Sequence, residues 1–240
     1  AYCAAAIGAY AEAANLPASR LVAVPDGIDL EMAAAVSLKG ATAEYLLQRT
    51  YPLQAGEYCL FHAAAGGVGL IFGQWAKAIG AHVIGTVGSD EKAALAMSHG
   101  YEHVINYRDE NVVERVMEIT GGSKLPVVYD GVGRDTFETS LDCLRPRGLM
   151  VSFGNASGMP PQLDLYTLGI KGSLFITRPT LLHYTMDTGE MRQSLGDVFS
   201  RVACGDVKVE INQRYPLAEV RRAHEDLEAR RTTGSTILIP

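Results

Sequence analysis

Tyr58-Cys59-Leu60-Phe61-His62-Ala63-Ala64-Ala65-Gly66-Gly67-Val68-Gly69 is the stretch on which the fold of this chain turns. Its first five residues are a short apolar run, the pattern of a strand buried on both faces. Small residues follow. From Val68 to Ile79 apolar positions then recur at helical spacing, until Gly80 stops the pattern. The whole reads strand, tight turn, helix. Within the turn, Ala64-x-Gly66-x-x-Gly69 has the spacing of the dinucleotide fingerprint, with alanine in the first place. Missing side chains let the backbone approach a pyrophosphate, and the last glycine lets helix pack closely on strand. The first helical amides offer hydrogen bonds and a positive dipole end. Ala64, Gly66, Gly67, Val68 and Gly69 are therefore candidate cofactor-binding residues.

Outward from this stretch, short apolar runs alternate with helical patterns, the mark of βαβ units and a parallel sheet. Strands are expected at Tyr58–His62, His82–Thr86, Val104–Tyr107, Val127–Tyr129, Leu149–Phe153 and Leu174–Thr177. Helices are expected at Val68–Ile79, Glu91–His99, Asp109–Thr120 and Asp135–Leu144, three of them closed by Gly80, Gly100 and Gly121-Gly122. Six strands with helices between them make a doubly wound α/β fold of the Rossmann type.

The second strand bears on the choice of cofactor. A site for NAD needs a carboxylate about 20 residues past the loop, on the ribose 2′-hydroxyl. Here the strand runs out through Gly85-Thr86-Val87-Gly88-Ser89 with no acid at its tip. The amides near Gly88, the Ser89 hydroxyl and the Lys92 ammonium, one helical turn on, suit a 2′-phosphate instead. Asp90 and Glu91 follow. They fit a helix N-terminus, where the dipole favours acids, although Asp90 as a displaced NAD-type acid is the alternative. The balance favours NADP.

The flanks have another pattern. Leu21–Val24 reads as a strand closed by Pro25-Asp26-Gly27, with a helix from about Leu30. Met191–Ala203 and Leu217–Ala229 read as helices, Lys208–Ile211 and Ser235–Ile239 as strands. They look like two pieces of a second domain with the nucleotide domain inserted between them: 1–40, then 41–178 for the inserted part, then 179–240.

Composition narrows the function classes. With 48% hydrophobic and 20% charged residues the chain has the balance of a protein with a buried core, and its net charge of −6 offers no footprint for nucleic acid or an anionic membrane. The richest apolar run, Leu60 to Trp75, is broken by four glycines, so no transmembrane helix is expected. Cys3, Cys59, Cys143 and Cys204 are scattered, with neither zinc-site nor disulfide-framework spacing, which suggests a cytoplasmic protein without a metal. The six histidines show no metal spacing either, and His62 reads as a packed strand-end residue. The alanine-rich start lacks the basic region of a signal peptide and an initiator Met, so Ala1 is not expected to be the natural beginning.

At this point several motifs in order match a known family. Phe61-His62-Ala63-Ala64-Ala65-Gly66-Gly67-Val68-Gly69 closely resembles the nucleotide loop of bacterial quinone oxidoreductases, the zeta-crystallin-like branch of the zinc-free medium-chain dehydrogenase/reductases. The resemblance continues in Gln74-Trp75-Ala76-Lys77, Gly85-Thr86-Val87-Gly88, Val104-Ile105-Asn106-Tyr107-Arg108, Val128-Tyr129-Asp130, Gly148–Gly154, Ile176-Thr177-Arg178-Pro179 and Ile237-Leu238-Ile239-Pro240. It covers essentially the whole chain. It implies a Rossmann domain inserted in a GroES-like, β-rich catalytic domain, most of whose N-terminal part would precede Ala1. It further implies Thr42 beside the nicotinamide phosphate and Gly88, Ser89, Lys92 and Tyr107 around the 2′-phosphate. Phe153 and Phe175 would lie near the nicotinamide, and Arg230 would reach the cofactor from the other domain.

The implied chemistry is reduction of quinones by hydride from NADPH without zinc, the protein supplying orientation and a dry cleft. No residue stands out as catalytic. Two rivals are an NADPH-dependent alkenal or enoyl reductase of the same branch and a non-catalytic, crystallin-like NADPH-binding protein. The family pairs through the edge strand of its Rossmann sheet, so a homodimer through the apolar run Leu174–Thr177 is expected.

Overall fold

Strands rich in Val, Ile, Leu and aromatics, separated by glycine-stopped helices, assemble as their alternation demands. A computed structural model describes residues 8–229 and 231–240. Helix α1 (Leu30–Glu44) starts at Asp29, whose carboxylate accepts from the Met32 amide at 2.7 Å, and runs on into a π-helical stretch, Tyr45–Thr50. Then come β1 (Tyr58–His62), α2 (Gly67–Ile79), β2 (His82–Val87), α3 (Asp90–Ser98), β3 (His103–Asn106), α4 (Val112–Ile119) and β4 (Leu125–Asp130). After these follow α5 (Phe137–Asp142), β5 (Leu144–Ser152), α6 (Leu165–Ile170), β6 (Phe175–Thr177), α7 (Leu181–Tyr184) and α8 (Thr188–Ala203). Last are β7 (Ile211–Pro216), α9 (Val220–Glu228) and β8 (Ser235–Ile239).

Six strands form one parallel sheet in the order β3-β2-β1-β4-β5-β6, the doubly wound arrangement expected from the alternation. Successive side chains of each strand enter opposite cores. Cys59 and Phe61 of β1 join Val83, Val127 and Tyr129 under α1, α2 and α8, whereas Leu60 joins Ile84, Ile105, Val128 and Met150 under α4 and α5. Strand order reverses between β1 and β4, so a crevice opens past their C-terminal ends, the place where such sheets take ligands.

Two expected flank strands are not formed as read. Leu21–Val24 belongs to neither sheet among the described residues; Val22 and Val24 pack their side chains on the core instead. Lys208–Ile211 becomes a strand only from Ile211. The reason is Gln74 of α2, whose amide accepts from the Lys208 N–H at 2.8 Å and donates to its carbonyl at 3.0 Å, tying that stretch to the helix. β7 then pairs with β8 in a separate two-stranded sheet, and β8 has the expected bounds.

Candidate functional site

The glycine loop closes β1 onto α2. Ala63 holds a positive φ of 59°, the Gly66 N–H donates to the Ala63 carbonyl at 2.9 Å, and Gly66, with no side chain, leaves α2 uncapped. The amides of Gly67, Val68 and Gly69 have no acceptor among the described residues, so three donors face the crevice at the positive end of α2. Gly69 makes this possible: a methyl group there would lie 2.4 Å from the Ala64 carbonyl oxygen. The cradle of small residues and free amides fits a dinucleotide diphosphate.

At the end of β2 a cavity of about 380 Å³ is lined by Gly88, Ser89, Asp90, Glu91, Asn106, Arg108 and Asp109. The Tyr107 ring closes over Gly88, where a methyl group would meet the Tyr107 hydroxyl at 2.4 Å. Ser89 caps α3, accepting from the Lys92 amide at 3.4 Å, and Lys92 follows on the first turn. The structure thus brings Gly88, Ser89, Lys92 and Tyr107 to one strand end. It adds two residues that the sequence reading did not single out. Arg108 lines the cavity. Asn106 donates its amide to Asp90 at 3.2 Å and to Asp109 at 2.6 Å, so both carboxylates are engaged with a neutral partner. Arg108 had one signal in the sequence, its place beside Tyr107. Asn106 shared that signal from the other side of Tyr107, but its bond to Asp90 depends on β3 lying next to β2.

At the switch point, Asp130 ends β4 and its Oδ1 accepts from the amides of Val132 and Gly133 at 2.8 and 2.9 Å, fixing the turn after the strand. Thr136 and Ser140 donate to the same carboxylate, Ser140 at 2.7 Å. Since the Ser140 proton goes to Asp130, its oxygen accepts from Nε2–H of His62 at 3.0 Å, and Nδ1 accepts from the Thr86 hydroxyl at 2.9 Å. His62 is buried, and desolvation pushes its pKa down against the opposing pull of Asp130, which keeps the imidazole neutral. It is a packed strand-end residue with both nitrogens engaged, bracing β1, β2, α5 and β4 beneath the crevice.

Phe153 follows β5, bonded through its N–H to the Asp130 carbonyl at 2.9 Å, and its ring lies over Gly131. That places it on the crevice. Phe175 is not brought there. It starts β6 at the level of Leu149, below the C-terminal strand ends, and is 60% exposed at the sheet edge. The expectation for Phe175 is corrected by strand direction: position 175 begins the strand, and the crevice lies at the opposite end. Thr42 sits half-buried in α1 with its hydroxyl donated to the Leu38 carbonyl at 2.8 Å. Arg230 lies outside the described residues.

Comparison with known proteins agrees with this geometry. The zinc-binding dehydrogenase family model matches residues 67–198. A quinone oxidoreductase from Pseudomonas aeruginosa is 58% identical over 100% of this chain and 74% of its own length. The crystal structure of Escherichia coli quinone oxidoreductase complexed with NADPH superposes with a TM-score of 0.96 at 53% identity, covering 98% of this chain and 73% of that one. A 2-haloacrylate reductase from a Burkholderia species is 44% identical over 98% of this chain and 71% of its length. The chain belongs to the zinc-binding dehydrogenase family, within its quinone oxidoreductase group.

Proposed function

We propose that this chain is an NADPH-dependent quinone oxidoreductase, residues 41–178 forming the NADPH-binding domain and residues 1–40 and 179–240 contributing to the GroES-like catalytic domain. The observation that carries the cofactor choice is the end of β2. Ser89 and Arg108 line the cavity there, the Tyr107 ring closes over Gly88 and Lys92 follows on the first turn of α3. Of the three acids lining it, Asp90 and Asp109 are held by Asn106 and Glu91 lies in the first turn of α3. When bound, the nicotinamide supplies the hydride. The chain's own residues do the holding: the Gly67–Gly69 amides take the diphosphate, and Phe153 over Gly131 walls the crevice. The braced turn at Val132–Gly133 keeps the strand ends in register. No side chain is assigned as a general acid, since a quinone takes its protons from solvent after hydride arrives.

Paired titration with NADPH and NADH, followed by quenching of Trp75, the sole tryptophan and buried in α2, tests the cofactor choice. Tighter NADPH binding is expected; equal or tighter NADH binding would return the ribose to Asp90. Reduction of an α,β-unsaturated carbonyl is the second reading, favoured by the 2-haloacrylate reductase relative. Turnover of an enone with none of a simple quinone would establish it instead.

Zinc-free catalysis is part of the proposal, supported by the engagement of both His62 nitrogens and the burial of Cys59 and Cys143 in separate clusters. Activity is expected to survive a chelator. A homodimer through β6 is supported by the open edge beside Phe175 and by the exposed Leu165, Tyr166 and Ile170 of α6. A monomer mass by light scattering at micromolar concentration would refute it. No helix among the described residues is long and apolar enough to cross a membrane. The cytoplasmic assignment rests on the separate thiols of Cys59, Cys143 and Cys204.

A further inference from the structure

Lys39 lies in α1, one turn before Thr42, and its stem crosses the start of α2 so closely that a methyl group on Gly67 would lie 2.8 Å from both its Cδ and its Cε. Its ammonium has no hydrogen bond and no ion pair among the described residues. Burial pushes its pKa down, with no opposing partner. The setting adds a second penalty. Gly67, Val68 and Gly69 present unpaired amides at the same helix end, and a cation there opposes the helix dipole. Lys171, by contrast, sits between Glu138 and Asp142. A half-buried lysine stem held against uncapped amides is unfavourable by itself; an anion between ammonium and amides satisfies both at once.

We infer that Lys39 is a positioning residue for the cofactor diphosphate, supplying a countercharge that the glycine loop lacks. This rests on the assignment of the loop to a dinucleotide. The Gly67 contact explains two things together: the second glycine of the Gly66-Gly67 pair leaves room for the lysine stem, and the stem pins α1 to the loop, so that the charge reaches the site from a helix outside the βαβ unit.

The test uses the full chain with Lys39→Met and Lys39→Arg. Dissociation constants are measured for NADPH, NADH and adenosine 2′-monophosphate, and melting temperatures with and without inorganic pyrophosphate. Lys39→Met is expected to weaken NADPH and NADH by the same factor, about ten- to a hundredfold. It should leave adenosine 2′-monophosphate unaffected and melt, without ligand, at or above the wild-type temperature. Lys39→Arg should keep most of the affinity. Unchanged dinucleotide affinity in Lys39→Met overturns the inference, as does an equal loss for adenosine 2′-monophosphate. Should the wild type bind no dinucleotide, the cofactor assignment falls by itself. Lys39 is then judged by pyrophosphate: a stabilisation lost in Lys39→Met upholds it as an anion-binding residue, and an unchanged or absent stabilisation refutes it.

Discussion

Gly69→Ala tests the central claim that the loop is shaped by backbone proximity. The new methyl group would sit 2.4 Å from the Ala64 carbonyl oxygen and 2.8 Å from that of Ala63, both backbone atoms that cannot swing aside. Ordinary contact begins near 3.4 Å, so the loop and the first turn of α2 must separate by about 1 Å. A donor–acceptor distance near 2.9 Å does not survive such a shift. Losing one charge-assisted bond costs about 1.5–3 kcal/mol, which raises the NADPH dissociation constant about ten- to a hundredfold. The strain itself costs about 1–3 kcal/mol and lowers the melting temperature by about 2–12 °C. Gly196→Ala is the matched control. It lies inside α8 with nothing within 4 Å of the new atom, so it should raise stability by about 0.4–1 kcal/mol and leave NADPH binding unchanged. Both constants come from nicotinamide fluorescence titration. Gly69→Ala binding NADPH within threefold of wild type would refute the claim that close packing of helix on strand shapes the phosphate site.

Other perturbations read other parts of the molecule. Lys92→Met should weaken NADPH by about tenfold and leave NADH unchanged in the same titration, since only the former carries the 2′-phosphate. His62→Gln addresses pH. Because burial lowers the folded pKa below the usual 6.5, the unfolded chain takes the proton first as pH falls. His62 therefore contributes stability fully above about pH 6.5 and loses it as pH drops towards the folded value. The melting-temperature gap between wild type and His62→Gln should narrow from about pH 8 to about pH 5, and a gap that widens would contradict the neutral assignment. Glu44→Ala strips a buried carboxylate from Arg49 and Ser194, each bonded to it at 2.7 Å. Arg49 keeps its bond to the Tyr184 carbonyl, so thermal unfolding should show a fall of about 2–8 °C, from about 1–2 kcal/mol for the lost bonds to Arg49 and Ser194.

Much of the fold was legible in the sequence because its signals are local. Tyr58–His62 and Ser235–Ile239 form with the bounds their apolar runs set, and α2 begins one residue before Val68. Lys208–Ile211 carried the same strand signal but becomes a strand only from Ile211, since the stretch before it was claimed by Gln74, 134 residues away. Phe175 was misplaced for a related reason: a motif tells which residues lie in a strand, but the direction and position of that strand in the sheet decide which end meets the ligand.

By itself the sequence determined the alternation of strands and helices, the small-residue loop and the acid-free run Gly85–Ser89 at the end of β2. All three are properties of consecutive residues, set by side-chain period and by missing side chains. Tertiary structure alone decided how charge is shared around the site. Asn106 holds Asp90 from the neighbouring strand, His62 is kept neutral between Thr86 and Ser140, and Lys39 faces the loop from a helix outside it. Burial and electrostatic energy depend on distance in space, and the residues that settle them here lie up to 78 positions apart in the chain.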